Sequence, residues 1–294
     1  MAQRVIVGVV AIPLILLLCM AGGPYFFGFI AIVSAVALRE LYGLAEAKGA
    51  QPLVVWGIIA GFFVNLSFFL PGLSRPPQVV VILLLAVVAF SLRELFRNQG
   101  SAILNLSTTL FGVLYVSLFC GTLIGIRELF VPAVFPVLRY FPAAAGMSAA
   151  GIAEQLHVWG GYTVISIFAM IWICDSAAFH VGLAVGKHKL FPRVSPQKSW
   201  EGAVAGLVCA IVAAVGAKYL ALKFLPLASA IVIGAIVGII GQLGDLTESL
   251  MKRDAGVKDS STLIPGHGGA FDRFDSVLLV APCVYLYLDY VLFA

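Results

Sequence analysis

Residues 225–246 read LPLASAIVIGAIVGIIGQLGDL, and no charged side chain occurs in this stretch before Asp245. A run of about 20 apolar residues is long enough to cross the hydrocarbon core of a bilayer as a helix. Similar runs recur along the chain, so that 62% of its 294 residues are hydrophobic and only 11% are charged. A soluble domain carries about 25% charged residues and could not bury so much apolar surface. The sequence therefore predicts an integral membrane protein.

The spacing of the apolar runs predicts an all-α polytopic protein with nine transmembrane helices. A transmembrane β-barrel needs short segments of alternating polarity, which these runs do not resemble. Three prolines interrupt the apolar stretch 129–150, where we expect an interfacial or re-entrant connection rather than a further span. The nine helices are expected at about residues 5–22, 25–44, 53–72, 78–96, 104–126, 161–184, 202–221, 225–246 and 274–293.

The chain shows no long linker, which predicts a single membrane domain over residues 1–294. Within it, helices of residues 1–150 would form a lipid-facing scaffold and helices of residues 161–294 would carry the functional site. Most of the 18 Lys and Arg residues lie on the side of the N-terminus, which the positive-inside rule places in the cytoplasm. The net charge of +4 is spread along the chain, so a nucleic-acid partner is not expected.

Charged side chains concentrate between residues 245 and 275. If the preceding helix continues, Asp245, Glu248, Ser249 and Lys252 share one face at spacings of three and four residues. An ionisable group directly after an apolar run is costly in a membrane unless it is paired, which favours a functional role for Asp245. A solvated helix end with an ion pair between Glu248 and Lys252 is the simpler alternative.

A glycine-rich loop follows, with Gly266, Gly268 and Gly269 around His267. Such a loop lets backbone N–H groups approach an anion such as phosphate, although this one lacks the P-loop pattern. Asp272 and Asp275 then open the last helix, where Asp275 is interpreted as a cap and a partner of the helix dipole.

Carboxylates from the ends of two consecutive helices, Asp245 and Asp272, are ligands of the kind that Mg²⁺ requires. Nearby basic side chains suit polyphosphate oxygens, and they are Lys252, Arg253, Lys258 and Arg273. This combination suggests metal-assisted chemistry on a phosphorylated substrate.

Further polar residues lie outside this region. Asp175 interrupts an apolar helix and predicts a water-filled cavity or an ion partner, and polar residues 195–202 follow that helix. A pattern Arg-Glu-Leu occurs at residues 39–41, 93–95 and 127–129. We interpret these three as charged helix ends at the membrane interface.

Two groups of polar residues lie between about 175 and 276. The first is Asp175 followed by SPQKSWEG at residues 195–202. The second, at about residues 249–275, consists of Ser249, Lys252, Arg253, Lys258, Asp259, Pro265, His267, Gly268, Gly269, Asp272, Arg273 and Asp275. Together they resemble the signature of the phosphatidate cytidylyltransferase family, the CDP-diacylglycerol synthases.

The resemblance implies transfer of a cytidylyl group from CTP to phosphatidic acid, giving CDP-diacylglycerol and pyrophosphate. It implies that Asp245 and Asp272 hold Mg²⁺, with room for a monovalent cation such as K⁺, and that both act in catalysis with Lys252 and Arg273. It assigns substrate binding to Asp175, Ser195, Lys198, Ser249, Arg253, Lys258, His267, Gly268 and Gly269. The expected location is the bacterial inner membrane among membrane lipids, with the site facing the cytoplasm and a homodimer as a family expectation.

Two alternatives remain open. One is a related CTP-dependent nucleotidyltransferase or kinase that acts on an isoprenoid lipid. The other is an ion or phosphate transporter in which Asp175 and Asp245 form an ion pathway. Many transporters consist of two inverted halves with broken helices in matching positions. The first half of this chain has no counterpart of residues 245–275, which disfavours the transporter.

Overall fold

The computed structural model describes residues 2–70, 76–264, 266 and 268–293, which are mostly helical. The α-helices are α1 (Ala2–Ala21), α2 (Gly23–Glu46), α3 (Val54–Phe69), α4 (Pro76–Leu95), α5 (Ala102–Gly112), α6 (Phe119–Glu128), α7 (Val137–Tyr140), α8 (Ala149–Val185), α9 (Trp200–Leu220), α10 (Leu227–Asp254) and α11 (Phe271–Tyr287). A π-helical turn, Val113–Leu118, joins α5 to α6, and another, Leu288–Leu292, follows α11. The only sheet in the described residues is an antiparallel hairpin of β1 (Lys189–Phe191) and β2 (Ser195–Ser199).

Seven helical segments are long and apolar enough to cross a membrane. They are Gly23–Glu46, Gln78–Leu95, Ala102–Glu128, Ala149–Val185, Trp200–Leu220, Leu227–Asp254 and Phe271–Leu292. Two further apolar helices are shorter, namely Gly8–Ala21 within α1 and all of α3. The 16 residues of α3 span about 24 Å, less than the roughly 30 Å of hydrocarbon. The prediction of an all-α polytopic membrane protein is confirmed, and a helix occurs at each of the nine predicted positions.

The connection at residues 129–150 contains only the four-residue helix α7 and a 3₁₀ turn, Pro142–Gly146. Aromatic packing holds it in place, because the Phe135 ring lies 4.9 Å from that of Phe293 and 5.7 Å from that of Phe224. The prediction of a connection rather than a span is confirmed. The next helix, α8, begins at Ala149 rather than near residue 161, because Ser148 caps it by accepting a hydrogen bond from Gly151 N.

The chain packs into two compact units, each built from segments distant in sequence. The first unit comprises residues 1–15, 23–125 and 251–274, and the second comprises residues 16–22, 126–250 and 275–294. The single membrane domain expected from the sequence stays a prediction.

In the first unit, buried hydrogen bonds join α2 to the region of α5. The fully buried Tyr42 donates to Thr109 O at 2.8 Å, and Thr109 Oγ1 accepts from Leu53 N at 2.8 Å. A Cβ atom at Gly57 of α3 would collide with the Tyr42 ring, so glycine allows α3 to pack closely against α2. A buried hydrogen bond contributes about 1 kcal/mol, and these contacts fix the helix that carries Glu40.

In the second unit, glycines bring α8, α9 and α10 together. A Cβ atom at Gly206 of α9 would lie 3.0 Å from the Cys174 carbonyl of α8, and one at Gly238 of α10 would lie 2.8 Å from the Leu207 Cα of α9. Small residues at helix contacts are the usual means of tight packing in a membrane, where the hydrophobic effect adds little between helices. This packing positions the polar residues of α8 and α10.

Candidate active site

An ion pair between the β-hairpin and α10 lies at the centre of the polar residues of the second unit. Lys198 of β2 places its Nζ 2.5 Å from Asp245 Oδ2, and both side chains are partly exposed, at 24% and 34%. One turn further along α10, Ser249 Oγ contacts Asp245 Oδ1 at 3.4 Å. The neighbouring Ser199 caps α9 by accepting from Gly202 N at 3.2 Å. Lys198 is therefore held beside a fixed helix start.

Asp175 of α8 lies near this pair and interacts electrostatically with both Asp245 and Lys198. The structure thus brings together three residues that were predicted at separate places in the sequence. Ser195 lies at the other end of β2, where it is paired in register with Phe191. The hairpin was not predicted, because residues 195–199 lack the alternating apolar pattern of a strand.

A second group of carboxylates surrounds Asp245. One carboxylate oxygen each of Asp245, Glu248 and Asp275 lies within 4.8 Å of the other two, and we call these three residues the acidic cluster. Glu248 is fully buried and the other two are half-buried. Gly244 allows the close approach of α11, because a Cβ atom there would lie 2.7 Å from the Asp275 carbonyl oxygen.

The interpretation of Asp275 as a helix cap is wrong. Helix α11 begins at Phe271, so Asp275 lies in its second turn, beyond the N–H groups that a cap satisfies. Three oxygen donors this close match the ligands of a hard divalent cation. The acidic cluster is therefore the group of described residues best suited to hold a metal ion.

In the first unit, a buried ion pair joins the end of α10 to the start of α11. Lys252 Nζ lies 2.6 Å from Asp272 Oδ1, and the two side chains are only 11% and 2% exposed. Asp272 Oδ2 accepts hydrogen bonds from Ser260 N at 2.9 Å, Ser260 Oγ at 2.7 Å and Gly269 N at 2.7 Å. Lys252 thus pairs with Asp272, and the alternative of an ion pair between Glu248 and Lys252 stays a prediction.

The glycine-rich loop wraps around a carboxylate of the protein itself. Gly268 has a φ of +80°, and a Cβ atom there would lie 2.6 Å from Asp272 Oδ2. A Cβ atom at Gly269 would collide with Ser260 Oγ and the Glu40 carboxylate. Pro265 and His267 lie outside the described residues. The N–H of Gly269 therefore donates to Asp272, and binding of a substrate phosphate by this loop stays a prediction.

Glu40 of α2 belongs to the same group and was missed as a functional candidate. It is only 8% exposed and accepts hydrogen bonds from Ser260, Ser261, Ala270 and Phe271. The interpretation of the Arg-Glu-Leu pattern as interfacial charge is therefore wrong for Glu40. Glu94 is likewise buried, at 5% exposed, and accepts from Asn105 Nδ2 at 2.6 Å, but it lies in the last turn of α4, where a charged helix end was predicted. A usable signal existed, because Glu40, like Asp245, closely follows a long apolar run.

The remaining predicted residues of the first unit lie at its surface. Arg253 is exposed and donates to Val257 O at 2.9 Å, and Lys258 and Arg273 are exposed as well. Asp245 belongs to the second unit and Asp272 to the first. Their joint role as Mg²⁺ ligands stays a prediction.

Comparison with known proteins finds relatives of similar length that share one name. A Synechocystis sp. protein named phosphatidate cytidylyltransferase is 35% identical over 288 residues, covering 97% of this chain and 96% of the relative. A Bacillus subtilis protein of the same name is 32% identical over 288 residues, covering 98% and 97%. Residues 2–291 match the sequence profile described as the cytidylyltransferase family. The chain therefore belongs to the cytidylyltransferase family, a family of nucleotidyltransferases.

Proposed function

We propose that this membrane enzyme transfers the cytidylyl group of CTP to phosphatidic acid. A phosphate oxygen of phosphatidic acid would attack the α-phosphorus of CTP. The bond from that phosphorus to the bridging oxygen of the β-phosphate would break, releasing pyrophosphate and leaving CDP-diacylglycerol. The observation that carries the proposal is the ion pair of Lys198 and Asp245, with Asp175 and the acidic cluster beside it. Relatives named phosphatidate cytidylyltransferase match this chain over nearly its full length.

The chemistry explains why the site needs charge more than a general base. The phosphate of phosphatidic acid is already an anion, so no proton has to be removed before it attacks. It must instead approach a second anion, which makes charge neutralisation and alignment the main requirements. Lys198 lies on β2, part of the exposed hairpin that follows α8. We infer that its ammonium group neutralises phosphate oxygens of CTP and that Asp245 holds it in place.

The acidic cluster would hold a divalent cation, which we propose is Mg²⁺. Asp245, Glu248 and Asp275 each offer an oxygen within 4.8 Å of the others, which fits an oxygen-ligated cation. Bound there, Mg²⁺ would supply neutralisation of the triphosphate charge. The resemblance to the family adds Asp272 as a ligand and K⁺ as a second cation, and both remain part of the proposal.

The exposed basic residues of the first unit suit the binding of phosphate groups that arrive from water. Lys258 lies in the loop after α10, and Arg273 lies in the first turn of α11. We propose that they and Arg253 bind phosphate oxygens of the nucleotide. Because positive charge concentrates on the side of the N-terminus, we propose that this side faces the cytoplasm of a bacterial inner membrane. CTP would enter from the cytoplasm, and phosphatidic acid would enter laterally from the bilayer.

Two labelled forms of CTP test the proposed function. Purified protein in detergent is incubated with phosphatidic acid, Mg²⁺ and CTP labelled at either the α- or the γ-phosphate. The proposal predicts that the α-label enters the lipid fraction and that the γ-label is released only as pyrophosphate. γ-Label in the lipid would instead indicate a kinase. Absence of α-label from the lipid would contradict the proposal, and transfer to an isoprenoid phosphate but not to phosphatidic acid would reassign the substrate.

A further inference from the structure

We propose that Glu40 is a positioning residue for the cytidylyl transfer, because it fixes the loop and the helix start that carry Asp272. This inference rests on the proposed function and on the proposed catalytic role of Asp272. Glu40 lies in α2, more than 200 residues before the segment that it holds. All the residues concerned belong to the first unit.

Four donors lie within hydrogen-bonding distance of the Glu40 carboxylate. Its Oε1 accepts from Ser261 Oγ at 2.6 Å and from Ala270 N at 3.1 Å. Its Oε2 accepts from Phe271 N at 2.7 Å and lies 3.1 Å from Ser260 Oγ, whose single proton can go to Glu40 or to Asp272. A buried carboxylate needs this many donors to offset its loss of hydration. Glu40 therefore bridges two parts of the chain, residues 260–261 and residues 270–271.

Glu40 also contacts the start of α11. The residue before the helix is Ala270, whose side chain offers no oxygen to the free N–H groups of the first turn. Glu40 accepts from two backbone N–H groups there, and its negative charge suits the positive end of the helix dipole. Asp272 reaches back to Gly269 N at 2.7 Å. Two carboxylates thus share the donors at the start of one helix.

The Ser260 hydroxyl links the Glu40 and Asp272 carboxylates directly. The Ser260 hydroxyl lies 2.7 Å from Asp272 Oδ2 and 3.1 Å from Glu40 Oε2. A hydroxyl carries one proton, so it donates to one of the two oxygens at a time. The shorter distance favours Asp272. Replacement of Glu40 would therefore change the position and the hydrogen bonding of Ser260, and through it those of Asp272.

Neighbouring atoms fill the space around the Glu40 carboxylate. A Cβ atom at Gly269 would collide with both the Glu40 carboxylate and Ser260 Oγ. Gly269 thus lies in close contact with both side chains. Such packing fixes the rotamer of Glu40, as is required of a residue that supports a catalytic group.

Glu94 provides a matched control within the same unit. It occurs in the same Arg-Glu-Leu pattern, and it is 5% exposed where Glu40 is 8% exposed. Its partners are Asn105, at 2.6 Å, and Arg97, at 3.6 Å. These partners lie outside the segment 260–272. Glu94→Gln therefore removes a buried charge without touching Asp272, and the exposed Glu46→Gln on α2 is a second control.

The experiment measures kcat, the KM for CTP and amide hydrogen exchange in purified, folded protein. Glu40→Gln is expected to lower kcat at least about tenfold with little change in KM, because small misplacements of catalytic groups cost about that much or more. It should also accelerate exchange in peptides covering residues 260–274. Glu94→Gln and Glu46→Gln should change neither kcat nor hydrogen exchange in these peptides. In combination with Ser260→Ala, Glu40→Gln should be non-additive in kcat, whereas Glu94→Gln should be additive.

If Glu40→Gln does not fold, Ser261→Ala takes its place, because it removes a single donor to Glu40 and is expected to lower kcat in the same direction. A normal kcat in folded Glu40→Gln, or in Ser261→Ala where that is used, would overturn the inference, and so would equal losses in Glu40→Gln and Glu94→Gln. If instead the proposed function or the role of Asp272 is wrong, the experiment gives a different result. Wild-type protein without transfer contradicts the proposed function, and a fully active Asp272→Asn contradicts the role of Asp272.

Discussion

Lys252 and Asp272 form an ion pair that is almost completely removed from solvent, with Nζ 2.6 Å from Oδ1. The pair joins the last turns of α10 to the first turn of α11, across the loop that contains the glycines. Two charges buried together depend on each other, since removal of either one leaves the other without this ionic partner. The pair therefore makes the geometry of this loop sensitive to either side chain.

Lys252→Met is expected to lower the free energy of unfolding by about 3–5 kcal/mol, because it leaves the buried Asp272 carboxylate without its cation. Denaturation of purified protein in detergent measures the change. The control is Lys258→Met, which removes an exposed lysine from the same region and should change stability by less than about 0.5 kcal/mol. Equal stability of the two variants would show that the buried pair does not support the fold.

Lys198→Ala is expected to lower kcat and to leave the stability of the fold almost unchanged. Its ion pair with Asp245 is partly exposed, and such pairs contribute about 1 kcal/mol or less. Removal of one charge that stabilises a transition state costs about a hundredfold in kcat. The assay is transfer of labelled CTP into lipid, with Lys189→Ala of β1 as the control from the same hairpin. A Lys198→Ala variant as active as Lys189→Ala would remove Lys198 from the proposed site.

Gly269→Ala is expected to destabilise the loop and to abolish most activity. The added methyl group would collide with Ser260 and Glu40, both of which hydrogen-bond to neighbouring residues. Gly216→Ala on α9 is the matched control, because nothing lies within 4 Å of a Cβ atom at that position. That variant should be unchanged or slightly more stable, since alanine is favoured over glycine in a helix by about 1 kcal/mol. Thermal denaturation and activity of both variants check the contrast.

Asp275→Asn is expected to raise the Mg²⁺ concentration needed for half-maximal activity about tenfold or more, because it removes one anionic oxygen from the acidic cluster. Activity measured against Mg²⁺ concentration gives this value directly. Asp259→Asn, which changes an exposed aspartate of the loop, should leave it unchanged. A normal Mg²⁺ requirement in folded Asp275→Asn would place the metal elsewhere.

Local pattern was sufficient to predict the helices and the polar face of α10. The helix was predicted at about residues 225–246, with Asp245, Glu248 and Ser249 on one face if it continued, and α10 does extend to Asp254. The prolines of residues 129–150 likewise predicted a connection. Such features depend on neighbours a few residues away, which a single sequence displays directly.

Contacts between distant segments were not predictable in this way. Glu40 contacts Ser260, which lies 220 positions later in the sequence. No local pattern indicates which buried carboxylate accepts a hydrogen bond from which donor. The hairpin that brings Lys198 to Asp245 is short and polar, so its strands carry little periodic signal. The role of Asp275 was misjudged because α11 begins at Phe271, a few residues earlier than expected.

The measurement that tests the account most directly is the rate at which the Asp245→Asn variant transfers the cytidylyl group of CTP, labelled at its α-phosphate, to phosphatidic acid. Asp245 pairs with Lys198 and belongs to the acidic cluster, so loss of its charge should affect both. We predict that the folded variant is at least about a hundredfold slower than the wild-type protein at saturating Mg²⁺. A rate within about threefold of wild type, well under the 1.4 kcal/mol that a tenfold change represents, would contradict the account.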